Sequence, residues 1–349
     1  MKTINQVKKL IYPLLKAFCF GSLSLILSTQ IVHAQEGEKW VTYEPENGPG
    51  NGKYIVLVSG DEEYRSEEAL PMLAKILAKH HGFKTTVLFA IDPENGEIDP
   101  EYNTNIPGLE HLETADLMVL FTRWRHLPAE QMKYIDAYTK AGKPVVAMRT
   151  STHAFKYDSD EQSPYARYSS DSKVEGWREG YGRQVLGETW VAHHGKHGKE
   201  GTRGLINGLH AAHPILKSVQ DIWGPTDVYT IRDLTEDAEV LLWGQTTKGM
   251  SADAPLSYEK SVMPVAWTKS YQSESGKTAR VFTTTMGASI DLQSEDLRRM
   301  MVNACFWTME MEDQIPEEAN VEYVGEYEPT MFGFGDHQKG LKPSDFVLK

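Results

Sequence analysis

From Lys53 onward, short apolar runs alternate with stretches of helical spacing. "KYIVLVSG" (53–60) is unbroken enough to be a strand buried on both faces. In "LPMLAKILAKHHG" (70–82), Leu73, Ile76 and Leu77 fall on one helical face. Pro71 there suits a first turn and Gly82 a stop. "TTVLFA" (85–90) and "DLMVLFTRW" (116–124) predict two more strands, "PAEQMKYIDAYTKAG" (128–142) a second helix, and "PVVAMR" (144–149) a fourth strand. This order implies an α/β fold with a mostly parallel sheet and helices on both faces.

The middle, 157–221, is polar and glycine-rich, and reads as a long central insertion with one short helix near "YGRQVLGE" (181–188). Strand-like runs resume at "DVYTI" (227–231), "AEVLLWGQ" (238–245), "MPVAWTKSY" (263–271) and "ARVFTTTMG" (279–287). A last helix, "SEDLRRMMVNACFWTMEM" (294–311), starts at Ser294 as N-cap with acids in its first turn. It sets Leu297, Met301, Ala304, Cys305 and Thr308 along one side, a core stripe. Beyond Asp313 the chain is an extended aromatic tail expected to pack on the domain (314–349).

The first 34 residues stand apart. Lys2, Lys8, Lys9 and Lys16 precede an apolar run from Ala17 to Val32 that ends in "VHA", the layout of a cleavable signal peptide. The run contains Ser22, Ser24, Ser28 and Gln30, which argues against a membrane anchor. A periplasmic or secreted protein is expected, entered by a flexible Gly/Pro/Glu-rich stretch (35–52). Loss of those four lysines takes the formal charge from −13 to −17. Such acidity argues against nucleic acid or an anionic membrane as main partner. Cys305 would then be the sole cysteine, so export brings no intrachain disulfide.

Ligands of open α/β sheets bind beyond the carboxyl ends of the strands. The first strand runs into Asp61, Glu62, Glu63, Tyr64 and Arg65, the third into Arg123, Trp124, Arg125 and His126, and the fourth into Arg149, Ser151, Thr152 and His153. A later run ends at Gln245. Arginines beside aromatics suit sugars or anions. "WVAHHGKHGKEG" adds His193, His194 and His197; the His194-x-x-His197 spacing can bring two imidazoles to one metal, but no acid or cysteine nearby completes a ligand set. No cofactor is implied, and a divalent metal stays open. Walker, dinucleotide and G-x-S-x-G patterns are absent, and Ser151 lacks the glycines that a nucleophile elbow uses.

In their order, "KYIVLVSGDEEYRSEEALPMLAKILAKHHGF", "VVAMRTSTHAF", "GETWVAHHGKHG", "HPIL", "TDVYTI", "PVAWTKSY" and "ARVFTTTMGAS" resemble the ThuA-like (trehalose utilisation) family, over about 53–313. The resemblance implies the flavodoxin-like, class I glutamine amidotransferase-like fold and a role in carbohydrate use. Where amidotransferases carry a nucleophilic Cys this chain has Arg149, so glutaminase activity is not expected. His153 stands near the family's histidine, Asp227-Val228-Tyr229 stands for its "DE-x-Y", and Gly287-Ala288 replaces its "GH".

Acid–base chemistry fits these residue types best. His153 and His194, with Tyr229 and Asp227, are the expected catalytic groups; Asp61, Glu62, Tyr64, Arg65, Arg123, Trp124, Arg149, Ser151, His193 and Gln245 are the expected substrate contacts. The leading expectation is elimination or dehydration of an oxidised, unsaturated or uronic sugar. The alternatives are a two-carboxylate hydrolase of a modified glycoside, with Asp61 or Glu62 and Asp227, and a non-catalytic sugar-binding protein of an uptake system.

Overall fold

A computed structural model describes residues 39–157 and 162–348. The expected signal peptide lies outside the described residues. Among them, no helix is long and apolar enough to cross a membrane.

The strands are β1 (Trp40–Tyr43), β2 (Tyr54–Gly60), β3 (Lys84–Leu88), β4 (Leu117–Thr122), β5 (Val145–Met148), β6 (Thr202–Ile206), β7 (Ile222–Gly224), β8 (Glu239–Thr246), β9 (Met263–Gln272) and β10 (Thr278–Thr284). They form one sheet in the order β1-β3-β2-β4-β5-β10-β9-β8-β6-β7. The central strands β3-β2-β4-β5-β10 are all parallel to one another. Numbered among themselves they run in the flavodoxin order, whose topological switch point lies between β2 and β4. The outer strands β1, β9, β8, β6 and β7 pair antiparallel and extend the sheet on both sides.

The apolar runs divide between two faces with the strand period of two. Ile55, Leu57, Val119, Val146 and Met148 pack with helices α1 (Ser66–His81) and α3 (Glu295–Thr308). Val56, Val58, Met118, Leu120, Val145 and Ala147 pack with α2 (Ala129–Lys140) and with Tyr168, Tyr181, Val185 and Leu186 of the insertion. Helices therefore cover both faces, as the pattern of apolar runs predicts.

Several local expectations are corrected. The stretch taken as a flexible entry contains β1, whose Trp40–Tyr43 pairs with Thr85–Leu88 of β3. Helix α1 begins at Ser66, so Pro71 lies inside it; the acids Glu67 and Glu68 open the helix and Gly82 closes it at φ 78°. The helix expected near "YGRQVLGE" is a single π-helical turn, Gly182–Leu186. "DVYTI" is no strand: only Tyr229 makes a bridge, to His193. Asp227, Val228 and Tyr229 are all buried without joining the sheet, and the neighbouring strand is β7. Ser294 stands at the start of α3, but its hydroxyl makes no capping bond there and accepts from Trp223 N instead.

Candidate functional site

The carboxyl ends of β2, β4, β5 and β10 meet two short segments, 190–197 and 226–229, which touch Glu63, His153, Arg149 and, through Asp291, the turn after β10. Three non-glycine residues near these ends have left-handed backbone: Arg65 (φ 60°), Trp124 (φ 45°) and Arg149 (φ 43°). Such strain persists only where the surroundings enforce it, and it gathers at working sites. The sharp turn after β5, not expected without glycines, is therefore present with Arg149 at its apex.

Asp227 is the hub of the site, and it is fully buried. His193 Nδ1 donates to its Oδ2 (2.8 Å) and His197 Nδ1 to its Oδ1 (3.2 Å). Arg149 donates to Oδ1 (3.3 Å) and to the Asp227 carbonyl (2.9 Å). The other ring nitrogen of His197 lies 3.2 Å from Glu63 Oε1. Burial alone pushes the Asp227 carboxyl up, but the two imidazole hydrogen bonds and the Arg149 charge outweigh it and hold the group far below the usual carboxylate range. His197 is pushed up by its bond to Asp227 and by the charge of Glu63, against some desolvation.

Backbone pairing brings these residues together across some thirty positions of sequence. His194 N and Gly195 N both donate to Val228 O, and Thr230 N donates to Ala192 O. A Cβ on Gly195 would stand 2.7 Å from Asp227 Cβ, so the approach of the two loop segments requires glycine here. Buried Glu188 anchors the start of the segment by accepting from Arg232 N and Asp233 N. Glu200 anchors the far end through Lys196 N and Lys260 Nζ. Asp291 ties Thr226 to the turn after β10 by accepting from Thr226 N, Thr226 Oγ1, Gly287 N and Ala288 N.

Around the hub stands an aromatic frame. The Arg149 guanidinium lies between the rings of Tyr229 (3.9 Å) and Tyr64 (4.4 Å). His153 packs against Trp190 (5.3 Å) and Trp124 (5.5 Å). Burial pushes His153 well below the ordinary histidine range, and Arg123, Arg149 and His193 add to the shift. It is therefore a neutral imidazole at physiological pH. Arg123 stacks on Trp124 (3.8 Å) and, with Arg125, holds Glu62 in ion pairs. Phe332 of the tail closes one side against Tyr64 (5.4 Å) and His197 (5.2 Å).

The structure brings Glu62, Tyr64, Arg123, Trp124, Arg149, His153, His193, Asp227 and Tyr229 to this cleft. Of these, Arg149 supports the site from within, and the remaining expected residues are engaged by the protein itself. Asp61 is fully buried and serves the turn after β2, accepting from Glu63 N, Tyr64 N and the Thr150 hydroxyl. Arg149 is also fully buried and reaches Thr285 O, so it props the site and has no face for substrate. Ser151 donates to Leu120 O inside the sheet end. Arg65 holds the tail through Gly333 O (2.7 Å). Gln245 donates to Ser257 O and Lys260 O. His194 turns away and its ring faces Ser261 O (2.8 Å). The metal-type pair is thus His193 with His197, not His194 with His197, and Asp227 is the acid that local spacing did not supply. Glu63, Trp190, Asp291 and Phe332 were not among the expected contacts; only Glu63 had a signal, its place in the acidic run after β2. A separate cavity of ≈ 390 Å³ between α1 and the tail, lined by Lys75, Tyr327 and Phe346 among others, has no such convergence of imidazoles.

Residues 55–308 match the family described as ThuA, trehalose utilisation. Among solved structures, the chain is similar to a ThuA-like protein from Bacteroides uniformis ATCC 8492 at 13% identity and TM-score 0.47, covering 76% of this chain and 95% of that one. It is also similar to a ThuA-like protein from Parabacteroides merdae ATCC 43184 at 17% identity and TM-score 0.45, covering 85% and 99%. No curated protein matches.

Proposed function

The chain belongs to the ThuA, trehalose utilisation, family, and from that premise we propose that it is an exported enzyme that eliminates water or an alcohol from an oxidised or uronic sugar by acid–base catalysis. The observation that carries this reading is the pair of exposed imidazoles on one buried carboxylate. A carboxylate only accepts, so the Nδ1 of His193 carries the hydrogen and its Nε2 keeps the lone pair in the neutral ring. His193 is thereby a base oriented by Asp227. His197, between Glu63 and Asp227, is favoured as an imidazolium and serves as acid. The hydrogen bonds assign the two roles: one carboxylate faces His193, and two face His197.

In the reaction, His193 takes the proton from the carbon next to the sugar's carbonyl or carboxylate. The carbon–oxygen bond at the adjacent carbon breaks, its electron pair leaves with oxygen, and His197 protonates that oxygen. Trp124 and Trp190 offer rings on which a sugar can stack, and Arg123 offers a guanidinium for its carboxylate. Tyr229, expected as a proton donor, is buried under Arg149 and supports the frame. The two-carboxylate hydrolase finds less support, because Asp61 and Asp227 are both fully buried and hydrogen-bonded. A periplasmic or secreted location is part of this proposal and rests on the sequence of residues 1–34.

The test is incubation with uronic and keto-sugar oligosaccharides, read by product mass and by ultraviolet absorbance of the new double bond. A product lighter by one water, or cleavage with a conjugated double bond, supports the reading. Binding without turnover would replace the enzyme by a sugar-binding protein.

A further inference from the structure

We propose that His193, His197 and Asp227 bind one divalent first-row transition-metal cation, with Glu63 orienting His197 from behind. The three donor atoms lie within 4.8 Å of one another. Both imidazoles present the same nitrogen, Nδ1, to the two oxygens of a single carboxylate, at 2.8 and 3.2 Å. Donors at about 2.0–2.2 Å from a four-coordinate cation are separated by roughly 3–3.5 Å, so the cluster needs little expansion to admit one. Two imidazoles and a carboxylate select transition metals over Mg²⁺ or Ca²⁺, which prefer all-oxygen sites.

A second observation comes from the far side of the ring. His197 Nε2 lies 3.2 Å from Glu63 Oε1, the carboxylate–imidazole–metal arrangement that fixes the orientation of a ligand ring. Asp227 is held in place by Arg149 and by the close approach of Gly195. The side chains of His193 and His197 are 35% and 37% exposed, so a fourth position faces solvent. Three protein ligands with an open position make a site for a reactive water or a substrate oxygen.

Cation binding and the hydrogen bonds to Asp227 use the same nitrogens and exclude each other. A loaded site would therefore replace the His193 base by a Lewis acid. The inference does not rest on the sugar reading, because binding is measured without substrate.

The experiment uses full-length protein stripped with a chelator and titrated with Zn²⁺ by calorimetry, followed by gel filtration and elemental analysis. Co²⁺ loading gives a visible spectrum that reports the coordination. The expected result is one equivalent of Zn²⁺ per chain. H193A and H197A each weaken binding by about 100-fold or more, and E63Q weakens it by about 10-fold with unchanged stoichiometry. H210A, in the turn Gly208–His210 and outside the cluster, binds as wild type. The histidines are exposed, so their variants retain the fold, which circular dichroism verifies. Retention of no cation by wild type, or equal binding by the H193A/H197A double variant, overturns the proposal and leaves a hydrogen-bond network only.

Discussion

The turn after β5 and the loop 190–197 bring histidines to the same cleft and give them opposite character. His153 is sealed under Trp124 and Trp190 and faces Arg123 and Arg149, so burial and positive charge keep it neutral. His197 is open to solvent and faces Glu63 and Asp227, so it is pushed up. Its neighbour His193 shares the Asp227 carboxylate. The residue type is the same; the surrounding charges decide what each ring can do.

Asp227 is the shared support, and its loss should have the largest effect. D227N leaves Arg149 buried without its anion and removes the acceptor of both imidazoles; we expect a loss of about 3–5 kcal/mol in unfolding free energy, measured by denaturant titration. A loss under 1 kcal/mol would show that the hub is dispensable to the fold. On the catalytic side, H193A should lower turnover of a responsive sugar by roughly 10²–10⁴-fold. H194A should have a much smaller effect, because its ring faces Ser261 O. Equal losses would restore the His194-centred reading of the loop.

Gly195 tests how closely the loop must approach. G195A places a methyl 2.7 Å from Asp227 Cβ and should destabilise by about 1–3 kcal/mol, seen as a lowered Tm. The smallest effect isolates burial from charge. Glu67, also buried, has no hydrogen-bond partner for either carboxylate oxygen among the described residues, and burial pushes it from 4.5 up to about 8. The folded chain keeps a proton there that the unfolded chain releases, so this group's contribution to stability is complete below about 4.5 and declines as pH rises through about 8. E67Q should flatten that decline in urea titrations across pH 5–9.

The core was readable wherever burial imposed a period. The runs that became β2, β4 and β5 were visible because both faces of those strands are apolar, and the chemistry at their ends followed from the α/β topology. Glu62, Arg123 and Trp124 were found in this way. The hub was harder to read. Asp227 and His193 meet through an isolated bridge, His193 to Tyr229, which leaves no period in the sequence. For Arg149 and Ser151, position at a strand end did not reveal that their polar groups point back into the protein.

The most direct test of the contrast between the two histidine-bearing segments is an imidazole NMR titration of chelator-treated protein, with His153 and His197 assigned by substitution. The account predicts that His197 titrates above the ordinary value of about 6.5 and that His153 stays neutral to well below it. Two histidines titrating together near 6.5 would contradict it.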